Sequence, residues 1–387
     1  MNHAICGATG RIDSMQELST PERTARFARQ LILPGFGPDA QGRLAAARVL
    51  VIGAGGLGSA VIPALAAAGV GTVGIIDDDR VELGNLHRQL IHGLADVGRS
   101  KVRSAAGAVS AIDPATVVCT YEKRLSSDNA LALFADYDLV LDGSDNFPTR
   151  YLANDAAALT GIPLVWGAVS QYAGQVGVAW ADRGPQYRDL FPAPPKPGVV
   201  LSCEDGGVLP TVCEVIGAIM ATEAIKILTG VGTPLLGRVT TFDALTGAFR
   251  ELSYERDPSA APIRELIDYE LFCGGAPSRD SVTPAELAAE LAGEISGGRS
   301  LTLLDVREPW EAQVASLPGA LLVPLGSLEA TIGGLDLEDP IVVYCHHGIR
   351  SARALELLKL AGFTTARHLE GGIDAWSRRI DPTLARY

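Results

Sequence analysis

One cysteine lies in a setting that predicts chemistry. Cys345 directly follows a predicted strand at 341–344, and the chain continues as His346-His347-Gly348-Ile349-Arg350-Ser351 before a predicted helix at 352–361. In such a loop the backbone amides converge at a helix N-terminus, and together with the helix dipole and Arg350 they stabilise a thiolate. The alternative is a buried structural cysteine, but the strand tip, the glycine and the arginine together favour a catalytic anion loop.

A glycine-rich turn forms a second candidate centre. It lies between a β-branched run at 49–52 and a helix-forming segment at 60–68, and its glycines are Gly53, Gly55, Gly56 and Gly58. This order of strand, loop and helix is typical of a phosphate site, because glycines allow a tight turn and bring backbone amides close to an anion. Taken alone, the turn permits several nucleotide-binding functions.

A carboxylate follows this turn at the distance that dinucleotide-binding folds use. Asp77 ends the next predicted strand, at 70–77. In such folds an acidic residue about twenty positions past the glycines holds the ribose hydroxyls. The alternative is a turn residue at the strand end, because Asp78 and Asp79 follow it.

Cations after the second strand favour a triphosphate over a dinucleotide. Arg88 lies in the segment Gly84-Asn85-Leu86-His87-Arg88-Gln89, and Lys101 starts another predicted helix. A dehydrogenase has little need of such charge, whereas a triphosphate carries several negative charges that arginine and lysine can neutralise. The two side chains therefore indicate a nucleoside triphosphate.

A second carboxylate is expected at the edge of the sheet where ligands bind. The segment Gly143-Ser144-Asp145-Asn146 follows a predicted strand at 138–142, and ligands of parallel sheets bind at the carboxyl ends of the strands. Asp145 could hold Mg²⁺ through one oxygen and waters. It could also, or instead, be the N-cap of a helix that continues through Pro148.

An N-terminal helix adds positive charge. Thr20 and Pro21 predict its start, and it continues through Arg23, Arg26 and Arg29 towards position 33. The arginines either form a solvated face or contact an anion, and the pattern alone favours the solvated face.

Length and composition set the frame for these sites. The 387 residues are 47% hydrophobic and 20% charged, which indicates a globular protein of about two or three domains. A formal net charge of −13 argues against a nucleic-acid surface. Neither a secretory signal nor a long apolar run is apparent, so we expect a cytoplasmic protein that does not bind a membrane.

The chain is expected to fold as α/β in four parts. Further strands at 162–168 and 175–180, a Pro- and Gly-rich stretch at 185–210, a helix at 211–228 that buries Cys213, and a hairpin around 245–247 complete the first domain. A renewed alternation of strands and helices near the C-terminus predicts a small parallel sheet. The predicted parts are a flexible tail at 1–20, a nucleotide-binding domain at 21–254, a linker at 255–281 and a second domain at 282–387.

The motifs in the first domain resemble a known family. The matching segments resemble the MoeB/ThiF adenylyltransferases, which are relatives of ubiquitin-activating enzymes: Arg26-Phe27-Ala28-Arg29-Gln30, Gly53-x-Gly55-Gly56-Leu57-Gly58, Asp77, Asn85-Leu86-x-Arg88-Gln89, Lys101 and Ser144-Asp145-Asn146. The resemblance implies a Rossmann-like adenylation domain and an ATP site. Its residues would be Gly55, Gly56, Asp77, Gly84, Asn85, Leu86, His87, Arg88, Lys101, Asp145 and Asn146. Arg29 would reach the phosphates of a neighbouring subunit, which implies a homodimer.

The C-terminal part resembles rhodanese domains. Asp305-Val306-Arg307, the Cys345 loop and Gly371-Gly372-Ile373-x-Ala375-Trp376 carry this likeness, and the whole chain resembles MoeZ-type fusions. Tyrosine phosphatases place five residues between cysteine and arginine, whereas only four separate Cys345 from Arg350, as in the tighter sulfurtransferase loop.

Together the resemblances imply a two-step reaction. ATP, with Mg²⁺, would adenylate the C-terminal Gly-Gly carboxylate of a ubiquitin-like sulfur carrier of the MoaD/ThiS kind, as in molybdopterin biosynthesis. A Cys345 persulfide, charged by a donor such as a cysteine desulfurase or thiosulfate, would then supply sulfur. Cys203 would cleave the resulting acyl disulfide to release the thiocarboxylate; the alternative is that Cys203 is only a residue of the Pro- and Gly-rich loop.

Two other functions stay open at the level of sequence. An NAD-dependent dehydrogenase would explain the glycines and Asp77, but it leaves Arg88, Lys101 and Asp145 without a role. A catalytically inactive scaffold that binds the carrier would not need these charged residues either.

The chain departs from the family pattern at one place. Most members carry two Cys-x-x-Cys pairs that hold structural zinc, but here the first pair is replaced by Gln186-Tyr187-Arg188-Asp189 and only Cys273 lies near the second. Because zinc needs four ligands, no structural zinc is expected.

Overall fold

The computed structural model describes residues 20–195, 206–273, 280–293, 301–337 and 339–386. The chain divides into two compact units, one made of Met1–Pro194 with Val208–Phe272 and the other of Pro195–Gly207 with Cys273–Tyr387. The predicted tail at 1–20, apart from Thr20, and Cys203 lie outside the described residues.

The first unit is built on a mixed eight-stranded sheet. Its strand order is β3-β2-β1-β4-β5-β6-β7-β8, with parallel pairing from β3 to β5 and antiparallel pairing from β5 to β8. The strands are β1 (Arg48–Ile52), β2 (Thr72–Ile76), β3 (Val117–Tyr121), β4 (Leu139–Asp142), β5 (Leu164–Ser170), β6 (Ala173–Ala179), β7 (Arg238–Asp243) and β8 (Ala248–Ser253).

Helices connect the parallel strands of this unit. They are α1 (Pro21–Leu31), α2 (Gly37–Ala46), α3 (Gly56–Ala68), α4 (Lys101–Ile112), α5 (Ala130–Phe134), α6 (Phe147–Thr160), α7 (Tyr187–Leu190), α8 (Pro210–Thr229) and α9 (Tyr269–Phe272), with 3₁₀ turns at Leu83–Asn85 and Leu94–Asp96. The strand order changes direction between β1 and β4, the two strands whose carboxyl ends carry the glycine turn and the Asp145 segment. Such a switch point is where ligands bind in doubly wound sheets.

Burial explains why β1 is the central strand. Val49 pairs with Val73 on one side and with Leu139 on the other. Both faces of the strand are covered, because successive residues from Val49 to Val51 are all fully buried. Val49 and Val51 belong to the same core cluster as Leu65 of α3. A strand buried on both faces reads as a continuous apolar run, and this explains the β-branched sequence at 49–52.

The second unit is a smaller α/β unit with a parallel sheet. Its strands are ordered β11-β10-β12-β13-β9 and all pair in parallel. They are β9 (Ser281–Val282), β10 (Thr302–Asp305), β11 (Leu321–Leu322), β12 (Ile341–Tyr344) and β13 (Arg367–Leu369). The helices are α10 (Pro284–Leu291), α11 (Pro309–Val314), α12 (Leu328–Thr331), α13 (Ile349–Leu360) and α14 (Gly372–Arg379), with 3₁₀ turns at Leu325–Ser327 and Ile332–Gly334.

The predicted α/β architecture is confirmed, with local differences. The helix after the Cys345 loop begins at Ile349 and not at 352, and β11 covers two residues of the strand expected at 321–325. The Pro- and Gly-rich stretch contains α7, and the predicted linker at 255–281 contains α9. The predicted boundaries of the four parts stay a prediction. None of the helices in the described part of the chain combines the length and apolar character that a bilayer-spanning helix needs.

Candidate functional site

The glycine turn connects β1 to α3, and two of its positions require glycine. Gly55 is the N-cap of α3, and Gly53 has a φ of +88°, in the left-handed region that favours glycine. A Cβ atom at Gly58 would lie 2.2 Å from the carbonyl oxygen of Gly53, so only glycine fits there. The first amides of α3 are thereby brought to the carboxyl end of β1, as expected for a phosphate site.

Asp77 lies next to this turn. Its carboxylate accepts hydrogen bonds from the amides of Ala54 and Asp79, both at 2.8 Å. Burial raises the pKa of Asp77, while Lys101 and the two amides act in the opposite direction. Asp77 therefore fixes the start of the glycine turn, and its role at a ribose stays a prediction.

Lys101 is buried beside the same carboxylates. Its Nζ lies 2.8 Å from Oδ2 of Asp79, and only 5% of the residue is exposed. Burial alone would lower the pKa of Lys101, but Asp77, Asp79 and Asp145 outweigh it and raise the pKa. The structure thus brings Asp77, Lys101 and Asp145, which are distant in sequence, into one electrostatic cluster.

Arg88 is also buried, and its neighbours in the chain hold it. Its guanidinium donates to Oδ1 of Asn85 at 3.1 Å and to the carbonyl of Gly84 at 3.3 Å. His87 is exposed and contacts the same carbonyl through Nδ1 at 2.9 Å, and Leu86 is half-buried. The segment is therefore a compact turn that holds the buried guanidinium of Arg88 in place.

The Asp145 segment corrects one expectation. The N-cap of α6 is Asn146, whose Oδ1 accepts from the amide of Thr149 at 2.9 Å, so Asp145 is not the cap. Asp145 is exposed. Below it, Asp142 and Arg150 form a fully buried pair, and Arg150 also donates to the carbonyl of Ser144 at 2.8 Å. The loop is thus supported from beneath, and the Asp145 carboxylate faces outward.

The sequence reasoning missed two buried polar atoms in this region. Oε1 of Gln89 and Oγ of Ser100 are buried and make no hydrogen bond within the described part of the chain. Gln89 lies beside Gly55, and Ser100 directly precedes Lys101. Their sequence positions next to Arg88 and Lys101 could have indicated that they belong to the site. The sequence alone does not show which polar atoms lack a hydrogen-bond partner.

The arginines of α1 divide into two roles. Arg23 and Arg26 form ion pairs with the buried Asp113 at 2.8 and 3.5 Å, and they hold α1 against the end of α4. Arg29 is exposed, and no hydrogen bond of its side chain is present among the described residues. Of these three, Arg29 is the one whose charge is available to an anion.

The Cys345 loop is a turn between β12 and α13. Cys345 is fully buried, and its Sγ accepts a hydrogen bond from the amide of Gly348 at 3.1 Å. Helix α13 begins at the next residue, Ile349. The sulfur therefore lies at a helix N-terminus, where amides and the helix dipole stabilise an anion.

The start of α14 supports this loop from behind. The amide of Ile373 donates to the Cys345 carbonyl at 2.9 Å, and the amide of Asp374 donates to the His346 carbonyl at 3.1 Å. Gly372 has a φ of +59°, and a Cβ there would lie 2.2 Å from the His346 carbonyl oxygen. The Gly371-Gly372 pair thus allows two backbone segments to approach closely enough to fix the loop.

Arg350 faces a carboxylate. Its two terminal nitrogens donate to Glu311 of α11 at 2.6 and 2.7 Å. The sequence interpretation placed Arg350 as a charge beside the Cys345 thiolate, and it did not identify Glu311. Because Glu311 and Arg350 are far apart in the sequence, no local pattern indicates that they pair.

Two histidines and an acid surround the same loop. The rings of His346 and His347 stack at 4.1 Å, and burial, followed by the charge of His347, lowers the pKa of His346 to about 4. His346, His347 and Asp374 offer ligand atoms within 4.8 Å of one another. However, Asp374 is already bound by Arg378 at 2.8 Å and Arg386 at 3.0 Å, and these cations oppose a metal ion.

A polar and aromatic cluster forms around Arg188, in the segment where the resemblance implies that the first Cys-x-x-Cys pair is missing. Arg188 binds both oxygens of the buried Asp155 at 2.7 Å, and the hydroxyl of Tyr269 donates to the same carboxylate at 2.7 Å. The Arg188 guanidinium lies 4.9 Å from the ring centre of Tyr151 and 4.7 Å from that of Phe272. We call Tyr151, Asp155, Arg188, Tyr269 and Phe272 the Asp155 cluster; it joins α6, α7 and α9.

Comparison with protein families agrees with these two sites. The model of the ThiF family matches residues 27–262, and the model of the rhodanese-like domain matches residues 287–379. The first match covers the glycine turn and the charged cluster, and the second covers the Cys345 loop.

Similar proteins match either nearly the whole chain or about two thirds of it. The chain is 48% identical over 379 residues to the probable adenylyltransferase/sulfurtransferase MoeZ of Mycobacterium tuberculosis, covering 95% of this chain and 96% of that protein. It is 38% identical to the adenylyltransferase and sulfurtransferase MOCS3 of Mus musculus, over 94% of this chain and 87% of that protein. A sulfur carrier protein adenylyltransferase of Thermus thermophilus is 49% identical and covers 66% of this chain and 98% of its own length.

Solved structures agree at the level of the fold. Crystal structures of E. coli MccB, alone and with ATP, match with TM-scores of 0.56 and 0.54 at 20% sequence identity. They cover 65% and 61% of this chain and 76% and 73% of the matched chains.

Proposed function

The chain belongs to the ThiF family and continues into a rhodanese-like domain, and from this premise we propose a two-step activity. The first step transfers AMP from ATP to the C-terminal carboxylate of a ubiquitin-like sulfur-carrier protein that ends in Gly-Gly. The second step uses a persulfide on Cys345 to convert the activated carrier into its thiocarboxylate. The enzyme is thus an adenylyltransferase and a sulfurtransferase.

The buried Lys101 is the observation that supports the first step most directly. Its ammonium lies among Asp77, Asp79 and Asp145, at the carboxyl edge of the sheet beside the glycine turn. A lysine kept charged at this place suits a triphosphate, whereas a nicotinamide dinucleotide gives it no role. The orphaned oxygens of Gln89 and Ser100 offer further polar partners to a nucleotide.

Electrostatics decide how this step is catalysed. The carrier carboxylate is already ionised, so attack on the α-phosphate needs no general base, and the barrier comes from repulsion between two anions. Preorganised cations lower that barrier, and losing one such contact costs roughly a hundredfold in rate. We assign this role to Arg88, Lys101 and Arg29.

Asp145 and the neighbouring acids fit a magnesium ion. Mg²⁺ prefers carboxylate oxygens and retains several waters, and Asp145 presents an exposed carboxylate while Asp77, Asp78 and Asp79 offer oxygens within 4.8 Å of one another. Bound Mg²⁺ would neutralise charge on the triphosphate. The protein's part is to hold the backbone on either side of Asp145, because Arg150 binds the Ser144 carbonyl and Asn146 caps α6.

The second step proceeds at the Cys345 sulfur. The Cys345 thiolate attacks the outer sulfur of a donor such as thiosulfate or the persulfide of a cysteine desulfurase; the donor's sulfur–sulfur bond breaks, sulfite or the donor thiolate leaves, and Cys345 becomes a persulfide. The terminal sulfur of the persulfide attacks the acyl carbon of the carrier adenylate, a carbon–sulfur bond forms, and AMP leaves. The amide of Gly348 and the N-terminus of α13 stabilise the anionic sulfur.

The product of that attack is an acyl disulfide between carrier and Cys345. A second thiolate that attacks Sγ of Cys345 breaks the sulfur–sulfur bond and releases the carrier thiocarboxylate, which leaves a protein disulfide for a cellular dithiol to reduce. We assign the attacking thiol to Cys203, which lies outside the described residues.

Three further assignments belong to the same proposal. The exposed Arg29 serves the phosphates of a neighbouring subunit, so the working enzyme is a homodimer. The enzyme acts in the cytoplasm, in a pathway such as molybdopterin biosynthesis, with neither nucleic acid nor membrane as a partner. The Asp155 cluster takes the place of a structural zinc, because glutamine, tyrosine, arginine and aspartate stand where cysteine ligands would be needed.

Carrier-dependent exchange of pyrophosphate into ATP tests the proposed function. We expect exchange that requires both Mg²⁺ and a carrier with an intact C-terminal Gly-Gly, and a carrier mass gain of one sulfur in place of one oxygen when thiosulfate is added. Tight NADH binding with no exchange would favour a dehydrogenase. Carrier binding without exchange would favour an inactive scaffold.

A further inference from the structure

We propose that His92 is a positioning residue for the glycine turn: it orients the peptide between Ala54 and Gly55 so that the Gly55 amide faces the nucleotide. The inference rests on the proposed ATP site, and it concerns a residue outside the charged motifs that identify that site. His92 is buried, with 6% of its surface exposed.

Both ring nitrogens of His92 have protein partners. Nε2 lies 2.9 Å from the carbonyl oxygen of Ala54, and Nδ1 lies 2.8 Å from Oγ of Ser104. Because a carbonyl can only accept, Nε2 carries the proton and donates to Ala54, while Nδ1 shares a hydrogen bond with the Ser104 hydroxyl. Burial, with a smaller effect of Lys101, lowers the pKa of His92 and keeps the ring neutral.

Ala54 is held from both sides. Its carbonyl accepts from His92, and its amide donates to Oδ2 of Asp77 at 2.8 Å. Ala54 itself is fully buried. The two peptide planes that meet at Ala54 are therefore each fixed by a side chain from a different segment of the chain, the Gly53–Ala54 plane by Asp77 and the Ala54–Gly55 plane by His92.

Peptide geometry transmits this constraint to Gly55. The peptide bond is trans, since the described chain contains no cis peptide, and in a planar trans peptide the C=O and the following N–H point in opposite directions. With the Ala54 carbonyl directed at His92, the Gly55 amide points away from His92. This amide makes no hydrogen bond to any described residue, and it directly precedes α3, where N–H groups bind anions.

His92 also connects the glycine turn to α4, the helix that carries Lys101. Ser104 and Lys101 lie three residues apart on α4, and therefore on neighbouring positions of one helix face. The chain of contacts from Ala54 through His92 to Ser104 thus sets the distance between the glycine turn and the helix that carries Lys101. One side chain fixes two parts of the same phosphate site.

Two amide substitutions separate the two contacts of the ring. His92→Gln places an amide nitrogen near the position of Nε2 and can donate to Ala54, whereas His92→Asn reaches only as far as Nδ1. We expect His92→Gln to bind ATP within about threefold of the wild type, and His92→Asn to raise both the Kd for ATP and the KM in exchange by about tenfold, with a smaller change in kcat.

Calorimetry with ATP measures this difference without any carrier. Equal affinity of the wild type and His92→Asn, or equal weakening by the Gln and Asn variants, would overturn the proposal. If His92→Asn does not fold, Ser104→Ala serves instead: a severalfold rise in the Kd supports the proposal and an unchanged Kd contradicts it. Sulfur transfer from thiosulfate to cyanide, which needs no ATP, should stay at the wild-type level in every variant. Absence of exchange in the wild type would instead refute the proposed function and leave the comparison of ATP affinities intact.

Discussion

Arg350 and Glu311 form a bidentate ion pair beside the Cys345 loop, with Nη1 2.6 Å from Oε2 and Nη2 2.7 Å from Oε1. The same Glu311 carboxylate accepts from the amide of Glu308 at 2.9 Å and so also fixes the start of α11. The positive charge of Arg350 is therefore matched by a carboxylate. Stabilisation of the Cys345 thiolate then falls mainly to the Gly348 amide and the α13 N-terminus, while Arg350 holds the loop in shape.

Removing the charge of Glu311 should impair sulfur transfer alone. Glu311→Gln leaves the half-buried Arg350 without the charge of its buried partner, which is costly away from solvent, so we expect a loss of at least about tenfold in sulfur transfer from thiosulfate. Glu311→Asp keeps the charge and should recover part of the activity. The control is Glu329→Gln, an exposed glutamate on α12. Unchanged sulfur transfer in Glu311→Gln would show that the loop does not depend on this pair.

Replacing Cys345 should separate the two reactions. Cys345→Ala removes the sulfur that carries the persulfide, but it changes nothing at the glycine turn. We expect carrier-dependent pyrophosphate exchange to continue and formation of the carrier thiocarboxylate to stop, as measured by the mass of the carrier. Cys273→Ala, which removes another cysteine of the described part of the chain, should keep both activities. Loss of both reactions in Cys345→Ala would contradict the division of labour.

Local sequence signals predicted those elements that local forces determine. Thr20 caps α1 through the Arg23 amide and Thr283 caps α10 through the Glu286 amide, because an N-cap needs only residues three apart. The strand predicted at 341–344 is confirmed. A short, buried apolar run is enough to specify it without help from distant residues.

Contacts between distant segments could not be predicted in this way. Glu311 and Arg350 are brought together by packing of α11 and α13, and His92 meets Ala54 only because the chain returns to the glycine turn. In the Asp145 segment, Asp145 and Asn146 are both residue types that cap helices, and the structure shows that Asn146 is the N-cap. The motifs therefore identified the charged residues of the site, while their supporting partners required three-dimensional structure.

Lys101 should be necessary for the adenylation step. Lys101→Met keeps most of the side-chain volume but removes the charge that faces Asp77, Asp79 and Asp145. We expect pyrophosphate exchange to fall by about a hundredfold or more, because a preorganised cation is lost from the phosphate site. Lys123→Met, a change at an exposed lysine, is the matched control and should exchange at the wild-type rate. Exchange in Lys101→Met within a few fold of wild type would remove Lys101 from the site.

Acid should destabilise the Cys345 loop through His346. Burial and the charges of His347 and Arg307 lower the pKa of His346 to about 4, against the opposing effect of Asp374 and Glu311. An unfolded histidine titrates near pH 6.5, so the unfolded state binds more protons between these values, and this part of the stability is complete above about pH 6.5 and lost towards pH 4.

The size of this effect can be measured at the loop itself. At pH 5 the lowered pKa of His346 should reduce the free energy of unfolding by roughly 2 kcal/mol relative to pH 7. Hydrogen exchange of the amides in β12 and α13 should therefore accelerate on acidification in the wild type and less in His346→Gln. The same pH dependence in both proteins would mean that another group causes it.

The Asp155 cluster should stabilise the first unit without a metal. Asp155 is buried and receives both Arg188 and the Tyr269 hydroxyl, whose pKa is raised by burial so that it stays protonated and donates. Arg188→Met would leave the carboxylate without its cation, at a cost of about 3–5 kcal/mol. Tyr269→Phe removes one hydrogen bond and should cost about 1 kcal/mol.

Urea unfolding, metal analysis and a chelator test this explanation together. Arg103→Met is the matched control, because Arg103 and Glu122 form an exposed pair that should contribute at most about 1 kcal/mol. We expect the purified protein to contain no stoichiometric zinc and its unfolding midpoint to stay the same in EDTA. The physical reason is that an arginine–carboxylate pair flanked by two aromatic rings already joins α6, α7 and α9. Zinc bound at one ion per chain, or a lower midpoint in EDTA, would show instead that a metal performs this role.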